Sequence, residues 1–157
     1  MDADTRAALE GFPEVWRRVC GEPAAEGPAP ALESLRGFIA DETCAAAFYE
    51  ACAARFTPYS TRLKQLARDE RGHLRALQTE YFLLTGERYI PPKTCPLPRG
   101  GLRALRAAYC DELSAVLAYR KAADAANDEA LAGIYRKNAS DEERHAGILR
   151  EIIFCAL

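Results

Sequence analysis

The sequence predicts an all-α protein built as a bundle of four long helices. Proline and glycine cut the chain into four long uninterrupted segments, and each segment repeats apolar residues at steps of three and four. β-Branched residues are few and the apolar/polar alternation of a strand is absent, so no sheet is expected.

Taken in order, residues 4–19 place Leu9, Phe12, Val15, Trp16 and Val19 on an apolar face and predict a short accessory helix, kinked or broken at Pro13. The face opposite lacks the basic residues of a membrane-surface helix, so packing on the bundle or on a second subunit is the expectation. "GEPAAEGPAP" at 21–30 then reads as a linker, which divides the chain into 1–30, an N-terminal helix and linker, and 31–157, the bundle. The first long segment carries Leu35, Ile39, Glu42, Ala46, Tyr49 and Ala53 on one face, and "TPYS" at 57–60 ends it. In the second the stripe is Leu63, Leu66, Glu70, His73, Leu77 and Leu84, with Ser60 as expected N-cap and Gly86 as expected C-cap. The stretch 87–100 contains Pro91, Pro92, Pro96 and Pro98; extended, it reaches on the order of 45 Å, enough to run the length of a bundle and start the third helix parallel to the second. The third stripe is Leu102, Leu105, Tyr109, Glu112, Val116 and Tyr119. The fourth, after "ANDEA" with Asn127 as expected N-cap, is Leu131, Tyr135, Glu142, His145, Leu149 and Ile152.

Composition narrows the function classes. A chain of 157 residues with 49% hydrophobic and 28% charged residues has enough apolar material for one core, and a net charge of −2 without a basic stripe gives no sign of a nucleic-acid partner. No apolar run approaches the roughly 18 residues of a membrane span, and "MDADTRAALE" is too acidic for a signal peptide, so no membrane partner and a cytoplasmic location are expected. The six cysteines, Cys20, Cys44, Cys52, Cys95, Cys110 and Cys155, form no C-x-x-C pair, which argues against a zinc ribbon or a rubredoxin-type iron site. They are expected to be reduced thiols, mostly buried.

Each apolar stripe carries a glutamate near its middle, where an unpartnered carboxylate is costly to bury and four would repel one another. Two divalent cations would bring about four positive charges to match them. Both histidines of the chain, His73 and His145, follow a glutamate by three residues, a spacing that puts Glu70 with His73 and Glu142 with His145 on one helix face. The chain also repeats itself. "DETCAAAFYE" at 41–50 answers "DELSAVLAYR" at 111–120, and "RDERGH" answers "SDEERH". Two related hairpins would thus present equivalent ligands across a pseudo-twofold axis.

One glutamate from each of two helices and Glu-x-x-His from each of two others resembles the ligand set of the ferritin-like di-iron carboxylate superfamily. Over residues 31–155 the chain looks most like the rubrerythrin group, as an erythrin domain without the rubredoxin domain, and its hairpins also look like those of bacterioferritin. The resemblance implies two antiparallel hairpins joined by a long crossover. It implies two iron ions, or manganese: Glu42 and His73 terminal on one, Glu112 and His145 terminal on the other, with Glu70 and Glu142 bridging at the catalytic centre. Tyr49 and Tyr119 resemble tyrosines that hydrogen-bond a ligand carboxylate, and Asp69 and Asp141 could fix an imidazole, their own helix's or a neighbour's. The chain departs from the rubrerythrin pattern at Ala115, where another glutamate is usual. It departs from bacterioferritin at Arg71, where a haem-binding methionine would follow the second-helix glutamate, so no haem is expected.

On this resemblance the expected function is reduction of hydrogen peroxide or dioxygen at a Glu4His2 dinuclear centre, an oxidative-stress type of chemistry, with an external reductant such as a rubredoxin-like donor and a homodimeric assembly. A ferroxidase of the iron-storage kind is the second expectation. A metal-free structural or interaction bundle is the third.

Overall fold

A computed structural model describes residues 29–91, 94–95 and 99–157; the accessory helix expected over 4–19 lies outside the described residues. Helix α1 spans Ala29–Arg55, a 3-10 turn spans Thr57–Tyr59, and α2 follows at once over Ser60–Thr85. After the crossover, α3 spans Leu102–Ala125 and α4 spans Glu129–Ala156.

Local chemistry explains the ends, with two corrections to the expected caps. Pro58 sits at the start of the 3-10 turn, where its missing N–H costs nothing. That turn runs straight into α2: Ser60 is the first helical residue rather than the cap, and its own N–H already bonds to the Thr57 carbonyl. At α4 the cap is Asp128, one residue beyond Asn127. Its Oδ1 accepts from the Leu131 N–H at 2.9 Å, and its charge complements the positive end of the helix dipole. Gly86 closes α2 as expected, in the left-handed region at φ 73°, with its N–H bonded to the Phe82 carbonyl at 2.8 Å.

Helix directions follow from two apolar clusters. One joins Tyr49, Cys52 and Ala53 of late α1 with Leu63, Leu66 and Ala67 of early α2, Leu105 and Ala108 of early α3, and Leu149 and Ile152 of late α4. The other joins Leu35 and Ile39 of early α1 with Leu77 and Tyr81 of late α2, Tyr119 and Ala123 of late α3, and Leu131, Tyr135 and Ala139 of early α4. Helices α1 and α2 are therefore an antiparallel hairpin, as are α3 and α4. Helix α3 runs parallel to α2, and the crossover travels the length of the bundle. Each hairpin packs extensively within itself, and the two meet chiefly through α2 against α4. Among the described residues no helix is long and apolar enough to cross a membrane.

The stripes read from the sequence point inward with few exceptions. Leu84 lies 43% exposed in the last turn of α2, past the apolar cluster, while Glu80 and Tyr81 take the buried positions there. Leu102 and Tyr109 are partly buried at the margin of the first cluster.

The cysteines differ most from expectation. Cys44, at mid-length of α1, is joined by a disulfide to Cys95 of the crossover, 51 residues away, with Cα atoms 5.1 Å apart. The path of the crossover along the bundle brings the two together, a proximity that no short-range spacing announces. Cys52 is free and buried, but Cys110 and Cys155 are free and exposed rather than packed in the core, and Cys20 lies outside the described residues.

Candidate metal centre

Between the two apolar clusters lies a layer of buried polar groups. Glu42 projects from α1, Glu70 and His73 from α2, Glu112 from α3, and Glu142 and His145 from α4; all six are buried. The i, i+3 spacing in α2 and α4 turns each Glu–His pair toward the same axis. Their donor atoms form two overlapping groups, each able to hold a metal ion: Glu42, Glu70, His73 and Glu142 in one, Glu70, Glu112, Glu142 and His145 in the other. Glu70 and Glu142 belong to both.

The interatomic distances are nearly symmetric. His73 Nδ1 lies 3.1 Å from Glu142, 3.2 Å from Glu70 and 3.5 Å from Glu42. His145 Nδ1 lies 2.9 Å from Glu142 and 3.0 Å from Glu70. The imidazole rings are 5.7 Å apart and inclined by 27°.

Supporting contacts cross between the hairpins. The Tyr49 hydroxyl of α1 donates to Glu112 of α3, and the Tyr119 hydroxyl of α3 donates to Glu42 of α1. Burial, together with the nearby carboxylates, pushes both phenols well above their ordinary range, so they remain protonated donors. His73 Nε2 of α2 faces Asp141 of α4 at 3.1 Å, and His145 Nε2 of α4 faces Asp69 of α2 at 3.4 Å. Each aspartate thus orients the histidine of the neighbouring helix, not its own. Arg144 ties the two aspartates together, at 3.0 Å from Asp69 and 3.1 Å from Asp141. Partial burial pushes the Asp141 carboxyl up, but bonds from Lys137, His73 and Arg144 outweigh it and hold the group below its usual range. Replacing Asp141 by Asn is expected to weaken cation binding beside His73 about 10- to 100-fold in a competition titration with a chromophoric chelator.

The donor chemistry fits a divalent cation. Both Glu70 oxygens and His73 Nδ1 are buried without a hydrogen-bond partner, although carboxylate and imidazole atoms crowd within about 3 Å of one another. Lone pairs converge there instead of pairing with donors, which is the arrangement a cation satisfies. In the absence of metal, proton uptake is the other way to relieve the repulsion among these carboxylates. Burial, and repulsion by Glu70 and Glu142, raise the Glu42 carboxyl from 4.5 to about 8 against the attraction of His73. For His145 burial pulls the other way, but its contact with Glu142 and the attraction of the Glu70 carboxylate prevail and raise it from 6.5 to about 9.

A raised folded-state pKa stabilises the fold below the unfolded value, and that contribution is lost as pH climbs through the folded value. Glu42 and His145 lose their contribution between about pH 4.5 and 9, and His73 and Glu112, whose values are raised as well, add to the loss, so the metal-free protein should lose thermal stability progressively as pH rises through that range. Cations compete with those protons. Zinc binding at pH 7 should therefore release protons, and affinity should climb toward pH 9. Calorimetry in buffers of different ionisation enthalpy measures the release, and binding without it would contradict the protonation assigned to Glu42 and His145.

A cavity of about 460 Å³ between α1 and α3 leads to this layer. Phe38, Ala45, Phe48, Ala108, Ala115 and Ala118 give it apolar walls; Glu42, Glu70, Glu112 and Glu142 lie along it, and the exposed Asp41 and Asp111 bring it to the surface. Two features escaped sequence reasoning. One is this cavity, which needs the separation of α1 from α3. The other is Asn138, buried between Tyr135 and Glu142 in the α4 stripe, near Tyr119, with its Nδ2 unpartnered. A polar residue in step with the stripe was the signal for it.

No protein-family model matches the chain. It is 34% identical over 85 residues to the uncharacterized protein YhjR of Bacillus subtilis (strain 168), a match covering 54% of this chain and 59% of that relative. Among solved structures it resembles a Rhodobacter capsulatus bacterioferritin described with a metal-free dinuclear site and haem iron: the TM-score is 0.71 at 20% identity, over 83% of this chain and 88% of that one. The fold is that of a ferritin-like four-helix bundle.

Proposed function

We propose that the protein is a rubrerythrin-type di-iron oxidoreductase that reduces hydrogen peroxide or dioxygen with electrons from an external donor. The observation that carries this reading is the sharing of Glu70 and Glu142 between two ligand groups, each of which has its own glutamate and its own histidine. Glu70 and Glu142 would be shared between two iron ions, with Glu42 and His73 holding one and Glu112 and His145 the other; manganese would suit the same donors. When bound, the metals supply electrons and Lewis acidity to an O–O bond.

The chain's own groups do the rest. Tyr49 and Tyr119 hold Glu112 and Glu42 by hydroxyl donation, which fixes the carboxylates from outside and leaves their free oxygens inward. Asp141 and Asp69 orient His73 and His145 with Nδ1 toward the centre. The apolar cavity walls limit bulk water while leaving a path for a small oxidant, and Asp41 with Asp111 attracts cations to its entrance. Ala115 stands on that wall where rubrerythrins usually have a further glutamate, so this chain has no carboxylate there for ligand exchange.

Anaerobic loading with Fe(II), followed by one equivalent of peroxide, tests the reading. Rapid oxidation, seen as new near-ultraviolet absorption, is expected; a correctly loaded protein that oxidises slowly or not at all would sink it. The bacterioferritin likeness also favours a second reading, a ferroxidase of an iron-storage shell. Sedimentation separates the two, since storage needs a hollow assembly of many copies and a dimer excludes it.

A further inference from the structure

The disulfide lies beside the candidate centre. Cys44 follows Glu42 by two residues on α1, and both line the cavity that reaches the buried carboxylates. Its counterpart in the second repeat is Ser114, which lines the same cavity from α3, so the two related positions differ in one atom, sulfur in place of oxygen. That sulfur is on the wall beside the crossover, from which Cys95 reaches it. A structural staple is poorly motivated at this point. The two apolar clusters already close both ends of the bundle, and the bridge ties down mid-length of α1 instead of a fraying end. The other described cysteines offer no alternative in the cavity: Cys52 is buried in an apolar cluster, where desolvation pushes its thiol up to about 11, and Cys110 and Cys155 are absent from the lining.

We propose that Cys44 and Cys95 are a redox-active dithiol/disulfide couple that feeds the neighbouring dinuclear centre its two electrons, so that the external reductant is a dithiol. The inference rests on the peroxide-reducing function proposed above and deepens it by naming the donor class. The electron count closes. Two thiols lose two protons and two electrons and form one S–S bond; hydrogen peroxide takes up both pairs, its O–O bond breaks, and two waters leave. An external dithiol then resets the couple by thiol–disulfide exchange, in which its own thiols become a disulfide and Cys44 and Cys95 regain their protons. Cys44 is the member next to Glu42, and Cys95, on the crossover, is the member an incoming thiolate attacks.

The test traps the thiols and does not depend on turnover. Full-length protein is reduced, freed of reductant, and divided into Fe(II)-loaded, zinc-loaded and metal-free samples under anaerobic conditions. Each receives one equivalent of peroxide, is quenched with an alkylating reagent at intervals, and is mapped by peptide mass spectrometry. The Cys44–Cys95 bridge is expected to form at least 10-fold faster in the iron-loaded sample than in the other two. Equal rates in all three would overturn the couple, as would iron that oxidises while both thiols remain alkylatable. Iron that never oxidises would overturn the underlying function as well, which separates the two failures.

A second arm uses Cys95→Ser, whose position lies outside the cavity lining. After oxidation of its iron, return to the ferrous state with dithiothreitol should be at least 10-fold slower than in the unaltered chain, while return with ascorbate should proceed at a similar rate. Equal slowing with both reductants would point to a distorted centre and refute the dithiol role.

Discussion

Glu70→Ala is expected to empty the metal centre completely, and Glu142→Ala to do the same, with bound metal falling from about two ions per chain to none by elemental analysis. Both carboxylates serve both ligand groups, so removing one deprives two ions at once. Glu42→Ala and Glu112→Ala form the contrast, because each of those residues belongs to a single group. They should each cost one ion and spare the other. The four variants together discriminate sharply: if Glu70→Ala keeps one ion bound, the bridging assignment is wrong.

Metal loading should also stabilise the fold by a large margin. Without cations, four glutamates and two histidines share one buried layer, where burial and carboxylate repulsion push the Glu42 carboxyl up and favour proton uptake. A cation that binds the folded state alone adds about 4 kcal/mol when its free concentration is 1,000 times its Kd. For a chain of this size that is about 10 °C in Tm. Differential scanning calorimetry of metal-free and zinc-loaded protein at pH 7 checks it, and a metal-free protein that melts at or above the loaded one would contradict a built metal site.

Much of this architecture was legible in the sequence, because helical periodicity and buried charge both leave local marks. The stripe in α1 from Leu35 to Ala53 is buried at every named position, and the four stripe glutamates and both histidines lie buried in two overlapping groups. Chain direction was legible as well, since the proline-rich stretch before α3 was long enough to cross along the bundle, and α3 does run parallel to α2. Three kinds of information were not local. Asn127 and Asp128 are both good caps, and only the backbone geometry at Asp128, extended with its side chain turned to Leu131, decides between them. Whether Asp69 and Asp141 serve their own histidine or a neighbour's depends on how α2 meets α4. The pairing of Cys44 with Cys95 depends on where the crossover lies, which the composition of that segment does not encode.

The crossed contacts give the centre a further property. The first hairpin supplies Glu42, Glu70 and His73, yet the hydroxyl that holds Glu42 and the aspartate that faces His73 come from the second hairpin, at Tyr119 and Asp141. The reverse holds for Glu112 and His145, which depend on Tyr49 and Asp69. Neither half is a self-sufficient metal module, despite their repetition in sequence. A cation bound by the proposed ligand set would therefore require both hairpins docked in register, and misplacing one half would disturb the support of the other half's ligands without altering a ligand residue.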